Sequence, residues 1–300
     1  MKVETTGVSA QLINANFVRK LEEGRIKEAQ SEASAFIRSK LRQTSFAREV
    51  LPPVVLADDE LDRDVNTDLP RKIVEKEPDS TATFATFKYT PERTWFSGPR
   101  YAVYFGKIST PAFTKSKYEL MTYQNDIRKI LTDNSVKDMS DIEDGKFIEV
   151  CEAVVSGVAD QDLSGSAPLT ADSVVQAIKA HYGRKQPIGK IVMTKELYAD
   201  VIKLPATSIG NDVASQHYTE GIEEEQTLWG YPVITTIKND IIPNNVFWIF
   251  SPENYLGNFF LLDDATLFIK QEADIITFFS YSAPGIGIGN NKAITKMTLS

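Results

Sequence analysis

The amino-acid sequence predicts a mixed α+β fold, on three observations. Apolar residues recur at three- and four-residue spacing in the first 45 residues and again between residues 116 and 183, which is helical periodicity. Residues 80–115 carry alternating aromatics on either side of a turn-forming stretch. From Trp229 onward, four or more runs rich in valine, isoleucine and phenylalanine read as strands. With 42% hydrophobic and 25% charged residues over 300 positions, the composition is that of a soluble globular protein with room for one large domain or two modest ones.

From the N-terminus, Val18, Leu21, Ile26, Ala29, Ala33, Phe36, Ile37 and Leu41 mark one or two amphipathic helices, interrupted near Gly24. Their apolar stripe needs a surface to cover. Val50 to Pro78 holds Pro52-Pro53, the acidic run Asp58-Asp59-Glu60-Leu61-Asp62 and Pro70, so it reads as extended chain without a core of its own, an arm. A first strand then runs through Phe84, Phe87 and Tyr89. The returning strand alternates Tyr101, Val103 and Phe105 against Ala102 and Tyr104, and the stretch Pro91 to Pro99, with Ser97-Gly98, reverses the chain between them. A two-stranded ribbon is marginally stable alone in water. Nothing nearby in the sequence offers it a surface, so it is expected to lie on a second copy of the chain.

After Ser116, Tyr118, Met121, Ile127 and Leu131 space a helix, and Ser140 to Asp144 opens a longer buried one through Phe147, Ile148, Cys151 and Val155. SGVADQDLSGSAP reads as a flexible polar loop. Thr170-Ala171-Asp172 starts a helix that Gly183 stops, IGKIVMT is a buried strand, and KELYADVIKLP is a short helix ended at Pro205. Residues 206–227 form a polar surface excursion. WGYPVITTI, NVFWIFSP, FFLLDDATLFIKQEADIITFFSYSA and KAITKMTL supply the strands, and there is no internal repeat.

Several function classes lose their usual supports. A net charge of −8 argues against gripping nucleic acid by a basic surface. One cysteine and two histidines leave no disulfide and no histidine–cysteine zinc site. PGIGIGNN, residues 284–291, superficially resembles a phosphate-binding glycine loop, but KAITKMTL after it alternates like a strand instead of opening a helix. Cys151 falls on an apolar helix face as an inert buried side chain. His181 ends a helix and His217 sits in a polar stretch, neither with a partner for general-base work. ADDELDRD and Glu223-Glu224-Glu225 read as solvated charge. No catalytic, cofactor or metal residues are expected. No apolar run approaches the roughly 20 residues of a membrane helix, and MKVETTGVSAQL lacks the basic-then-apolar pattern of a secretory leader, so a cytoplasmic site of synthesis and no membrane partner are expected.

The order of these pieces, together with LRQTSFAREVLPP, RYAVYFGKISTPAFTKSKYEL and LWGYPVITTIKNDIIPNNVFWIFSPENYLGNFF, resembles the major capsid proteins of tailed bacteriophages, which have the HK97-like capsid fold. The resemblance spans nearly the whole chain and lies in the order more than in any single motif. It implies an N-terminal arm over residues 1–83, an extended β-hairpin loop (E-loop) over 84–112, a peripheral domain with a long spine helix over 113–158 and 252–300, and an axial domain over 159–251. Either SGVADQDLSGSAP or the 206–227 excursion would sit near the capsomer axis. It further implies self-assembly through pentamers and hexamers into an icosahedral virion shell that encloses double-stranded DNA without reading its sequence. A portal protein would be a partner, with scaffolding, decoration or maturation-protease proteins as further ones. An uncleaved arm is expected.

At the level of residues, Trp95, Phe96, Tyr101 and Tyr104 are expected to anchor the hairpin to the neighbouring subunit, each aromatic contributing a few kcal/mol at roughly 25 cal/mol per Å2. Arg93 and Arg100 would pair with carboxylates across the boundary, Glu119, Asp141 or the 58–62 run being the acceptors considered. Phe36, Leu41 and Phe46 of the arm join the expected interface. The alternative for Tyr101, Val103 and Phe105 is ordinary core. Two other functions stay open at this point: an encapsulin-like nanocompartment shell of the same fold, and an α+β enzyme whose site converges only in space.

Overall fold

The computed structural model describes residues 10–76, 87, 98–122, 127, 131, 135–202, 204 and 225–300. In chain order these form α1 (Ala10–Glu22), α2 (Ile26–Thr44), α3 (Phe46–Val50), β1 (Pro53–Val55), β2 (Asp62–Arg63), β3 (Pro70–Glu75), β4 (Arg100–Tyr104), β5 (Ile108–Ser109), β6 (Phe113–Ser116), α4 (Lys117–Thr122) and α5 (Lys137–Val155). There follow β7 (Asp162–Gly165), α6 (Ala171–Gly183), β8 (Lys190–Thr194), α7 (Lys195–Ile202), β9 (Glu225–Leu228), β10 (Tyr231–Thr236) and β11 (Val246–Phe250). The C-terminal elements are α8 (Glu253–Leu256), β12 (Gly257–Leu261), β13 (Thr266–Glu272), β14 (Ile275–Ser282), β15 (Pro284–Ile288) and β16 (Ile294–Leu299).

The largest sheet has the order β7-β16-β11-β8-β10-β9. β11 lies within it and all five of its residues, Val246 to Phe250, are buried, which is why its sequence is apolar without alternation. α6 covers this sheet. Its start is set by Thr170, whose hydroxyl accepts from Ser173 N while the Ser173 hydroxyl accepts from Thr170 N, a reciprocal cap for two otherwise orphaned amides. The expected polar loop at SGVADQDLSGSAP is corrected in part: its residues 162–165 form β7, parallel to β16.

A second sheet has the order β13-β14-β5, with β6 also on β14. Here the alternation is clean. Leu267, Ile269, Ile276 and Phe278 point into a core shared with Phe17, Val18, Leu21, Ile37 and Leu41 of α1 and α2 and with Leu120 and Met139. The N-terminal helices are therefore packed on their own chain, and the expectation of an arm in search of a neighbour's surface is corrected for them. The reason is an edge. The side of β13 away from β14 would expose backbone polar groups, and α2 covers it with three polar side chains four residues apart. Gln30 Nε2 donates to Ile269 O at 3.4 Å, Ser34 Oγ accepts from Leu267 N at 2.9 Å, and Arg38 Nε donates to Ala265 O at 3.1 Å.

Two smaller sheets are also present among the described residues, β1-β12-β15 and the antiparallel β2-β3-β4. Val50–Pro78 is thus more than connecting chain: β1 runs parallel to β12, and β3 is the strand that pairs with β4, Arg71 opposite Tyr104 through Glu75 opposite Arg100. The expected first arm through Phe84 and Tyr89 lies outside the described residues. The ribbon is rooted earlier than its aromatics suggest.

Candidate functional site

The ribbon root is where the expected interface residues converge with the glycine motif. β4 is two-faced. Tyr101 and Val103 of β4, and Phe105 just after it, cross the β15 chain: Phe105 lies over Gly285, Val103 and the edge of Tyr101 over Gly287, and Tyr101 over Gly289, just past the strand. A Cβ on Gly287 would overlap Val103 Cγ2, one on Gly285 would lie 2.7 Å from Phe105 Cδ1, and one on Gly289 2.8 Å from Tyr101 Oη. Tyr101 Oη accepts from Asn258 Nδ2 at 3.0 Å, and burial pushes the phenol pKa up. Val103 is fully covered, in a small cluster with Leu56 and Phe260. The PGIGIG motif is therefore a strand, with Ile286 and Ile288 packed on the main core and its glycines under the ribbon.

The expected interface residues divide accordingly. Tyr104 and Arg100 face solvent, Arg100 bonded to Glu75 at 2.9 Å. Tyr101 is half-buried against its own chain, with part of its ring packed over Gly289 and Gly287. Leu41 and Phe46 are buried in their own core and have no surface left to offer, a correction. Phe36 is half-buried. Arg93, Trp95 and Phe96 lie outside the described residues.

A buried charge network locks α3 to α5. Arg48 grips Glu143 by two bonds, Nε to Oε2 at 2.7 Å and Nη2 to Oε1 at 2.8 Å, and its Nη1 donates to Asp264 Oδ1 at 3.0 Å. Asp144 accepts from Ser45 Oγ at 2.7 Å, Ala47 N at 2.9 Å and Lys238 Nζ at 2.5 Å. Lys238 also holds Asp141 at 3.0 Å, so Asp141 is engaged within the chain instead of waiting for an arginine across a boundary. Glu119 accepts from its own Ser116 N at 3.3 Å. Burial holds Glu143 and Asp144 above the ordinary carboxylate range, with Arg48 and Lys238 opposing it. Nothing in the sequence reading singled out this network, although Glu143 lies on the same helical stripe as Phe147 and Cys151, a position that demands a cation.

His181 was expected at a helix end and is found fully buried. Pro187 O, at 3.2 Å from Nε2, can only accept, which puts the proton on Nε2 and leaves Nδ1 to accept from Thr295 Oγ1 at 2.8 Å. Arg184 in turn donates to Thr295 Oγ1 at 2.5 Å. Burial lowers the His181 pKa from 6.5 to about 4, with the Arg184 charge adding to it. The Cys151 thiol is enclosed and burial pushes its pKa up. Asp64 corrects the solvated reading of the acidic run: it is buried, accepting from Thr67 and from Arg71 Nη1 at 2.7 Å. Among the described residues no cluster of acids, histidines or cysteines could hold a metal, and no helix is long and apolar enough to cross a membrane.

Two open surfaces stand out among the described residues. One is a groove of about 1220 Å3 between the ribbon root and the body, walled by Tyr101, Val54 and Tyr255 with Lys76, Lys185 and Lys292 at its rim. The other is the outer face of the second sheet, where Phe268, Phe279 and Tyr281 form a row with ring centroids 5.1 and 6.2 Å apart.

No protein-family model and no curated protein matches the sequence. Solved structures do match. A virus-like particle from Pyrococcus furiosus is 14% identical over 90% of this chain and 99% of its own, with a TM-score of 0.55. The mature capsid of bacteriophage PhiM1 is 7% identical over 86% of this chain and 87% of its own, with a TM-score of 0.58. A chain of Microbacterium phage Oxtober96 is 9% identical over 86% and 91%, with a TM-score of 0.61. The chain has the HK97-like fold. Within this HK97-like chain β16 shares a sheet with β8, β10 and β11, so the division expected at residue 252 passes through a hydrogen-bonded sheet.

Proposed function

We propose that this chain is a major capsid protein, which assembles through pentamers and hexamers into an icosahedral shell around the double-stranded DNA of a tailed phage. The observation that carries the reading is the HK97-like fold over nearly the whole chain, shared with proteins described as capsids and a virus-like particle. The exposed ribbon face supports it. Tyr104 and Arg100 point away from the body, beside the stretch that holds Arg93, Trp95 and Phe96, and Phe36 offers a half-buried edge on α2. In this reading the shell is structural and catalyses nothing. A portal protein joins it at one vertex, scaffolding, decoration or maturation-protease proteins act on it, and assembly takes place in the host cytoplasm. The net charge of −8 suits a wall that encloses DNA without adhering to it.

Electron microscopy and sedimentation of the purified protein test the reading: closed particles or capsomers are expected, and a stable monomer at high concentration overturns it. Trp95→Ala with Phe96→Ala is expected to leave a folded subunit that forms no stable particles. A nanocompartment shell of the same fold is the second reading, kept because one match over 99% of its own chain is described as a virus-like particle and not as a phage. Packaged DNA in native particles separates the first from the second, which predicts protein cargo.

A further inference from the structure

We infer that Gly285, Gly287 and Gly289 are positioning residues: they form a seat that fixes the direction in which the β3–β4 ribbon leaves the body. Glycine inside a strand weakens it and is retained where another chain segment comes close. Here the approach is regular. Tyr101, Val103 and Phe105 advance two residues at a time along the ribbon while Gly289, Gly287 and Gly285 retreat two at a time along the facing chain, so Phe105 and Val103 enter the notches at Gly285 and Gly287 while Tyr101 lies across Gly289 and reaches the edge of Gly287. A slip by one residue would turn Ile286 and Ile288, which pack on the main core, toward the ribs and the glycines away from them. The ribbon root is pinned at both ends, by Gly106 N to Pro284 O at 3.0 Å and by Asn258 to Tyr101 at 3.0 Å. It is therefore a strut held as far as the described ladder runs, to the bond from Lys76 N to Pro99 O at 2.8 Å, and the direction of this root changes only by lifting the ribs from the notches. The seat stands on the single chain. That it aims the ribbon at a neighbour rests on the shell reading above.

Hydrogen exchange of the unassembled full-length chain tests the seat without reference to particles. Gly287→Ala adds one methyl where Val103 Cγ2 sits and leaves a backbone that any residue adopts. Exchange at Lys72 to Val74 and Tyr101 to Val103 is expected to accelerate at least about tenfold, with α5 and β11 unchanged. Gly287→Ala with Val103→Ala, which shortens the rib to fit the filled notch, is expected to bring protection back to within about threefold of the parent. Unchanged exchange in the single variant overturns the inference. So does a double variant no better protected than the single one, including the case in which the single variant fails to fold. Loss of particles with the seat's protection intact counts against the shell reading instead.

Discussion

The six-stranded sheet and the joint between α3 and α5 sit side by side and are held by opposite means. In the sheet, Ile191, Met193, Phe247, Ile249 and Met297 meet Val174, Ala177 and Tyr198 of the flanking helices, an apolar contact that tolerates exchange of one hydrocarbon for another of like volume. At the joint, Arg48, Glu143, Asp144, Asp264 and Lys238 are removed from water and committed to named partners. Such groups add little net stability but penalise every arrangement in which they are mispaired. The difference teaches where the molecule needs plain cohesion and where it needs one geometry: the joint sets how the N-terminal helices dock beside the long helix.

The strongest attempt to break this contrast is Arg48→Ala. It strands Glu143 without its cation and leaves Asp264 the longer ion pair to Arg38 at 3.8 Å, and a loss of about 3–5 kcal/mol is expected in urea unfolding. A loss under about 1 kcal/mol, the size of an exposed ion pair, would mean that the joint is held by its apolar neighbours alone.

His181 probes the polar seam beneath the apolar sheet. Its folded pKa of about 4 lies below its ordinary 6.5, so the unfolded chain takes up the proton first as pH falls. The stabilisation is complete above pH 6.5 and is lost as pH falls toward 4, about 3 kcal/mol across that window. Melting temperatures of the parent and of His181→Gln over this range check it: the parent is expected to lose stability between the two values and the variant to lose less.

Thr170→Ala, which removes the reciprocal cap of α6, is expected to cost about 1 kcal/mol. It sharpens the contrast because a local cap acts without the buried charges. Smallest is Arg100→Ala, whose partner Glu75 is as exposed as itself; chain stability is expected to change by less than about 0.5 kcal/mol, while assembly, followed by sedimentation, falls.

Much of this was legible before any coordinates. Helices are written in local spacing, so the long helix through Phe147, Cys151 and Val155 and the capped start at Thr170 could be read directly. Strand runs such as Val246–Phe250 were equally plain. The alternation of Tyr101, Val103 and Phe105 is plain in the sequence, but the cover that this chain itself gives their inner face is not. The side chains at Tyr101, Val103 and Phe105 lie on glycines some 180 residues away, and a spacing pattern carries no information about what covers a face. The same blindness turned α1 and α2 into a free arm and left Arg48 without its carboxylates.

By itself the sequence determined the main helices, the long apolar strands and the fold they resemble, because periodicity and turn chemistry act over a few residues, while the short strands β1, β3 and β7 exist only through distant partners. Only the tertiary structure decided which faces were already covered. Gln30, Ser34 and Arg38 close the edge of β13, and three glycines receive three ribs, because complementarity between segments far apart in the chain exists only once they are brought together.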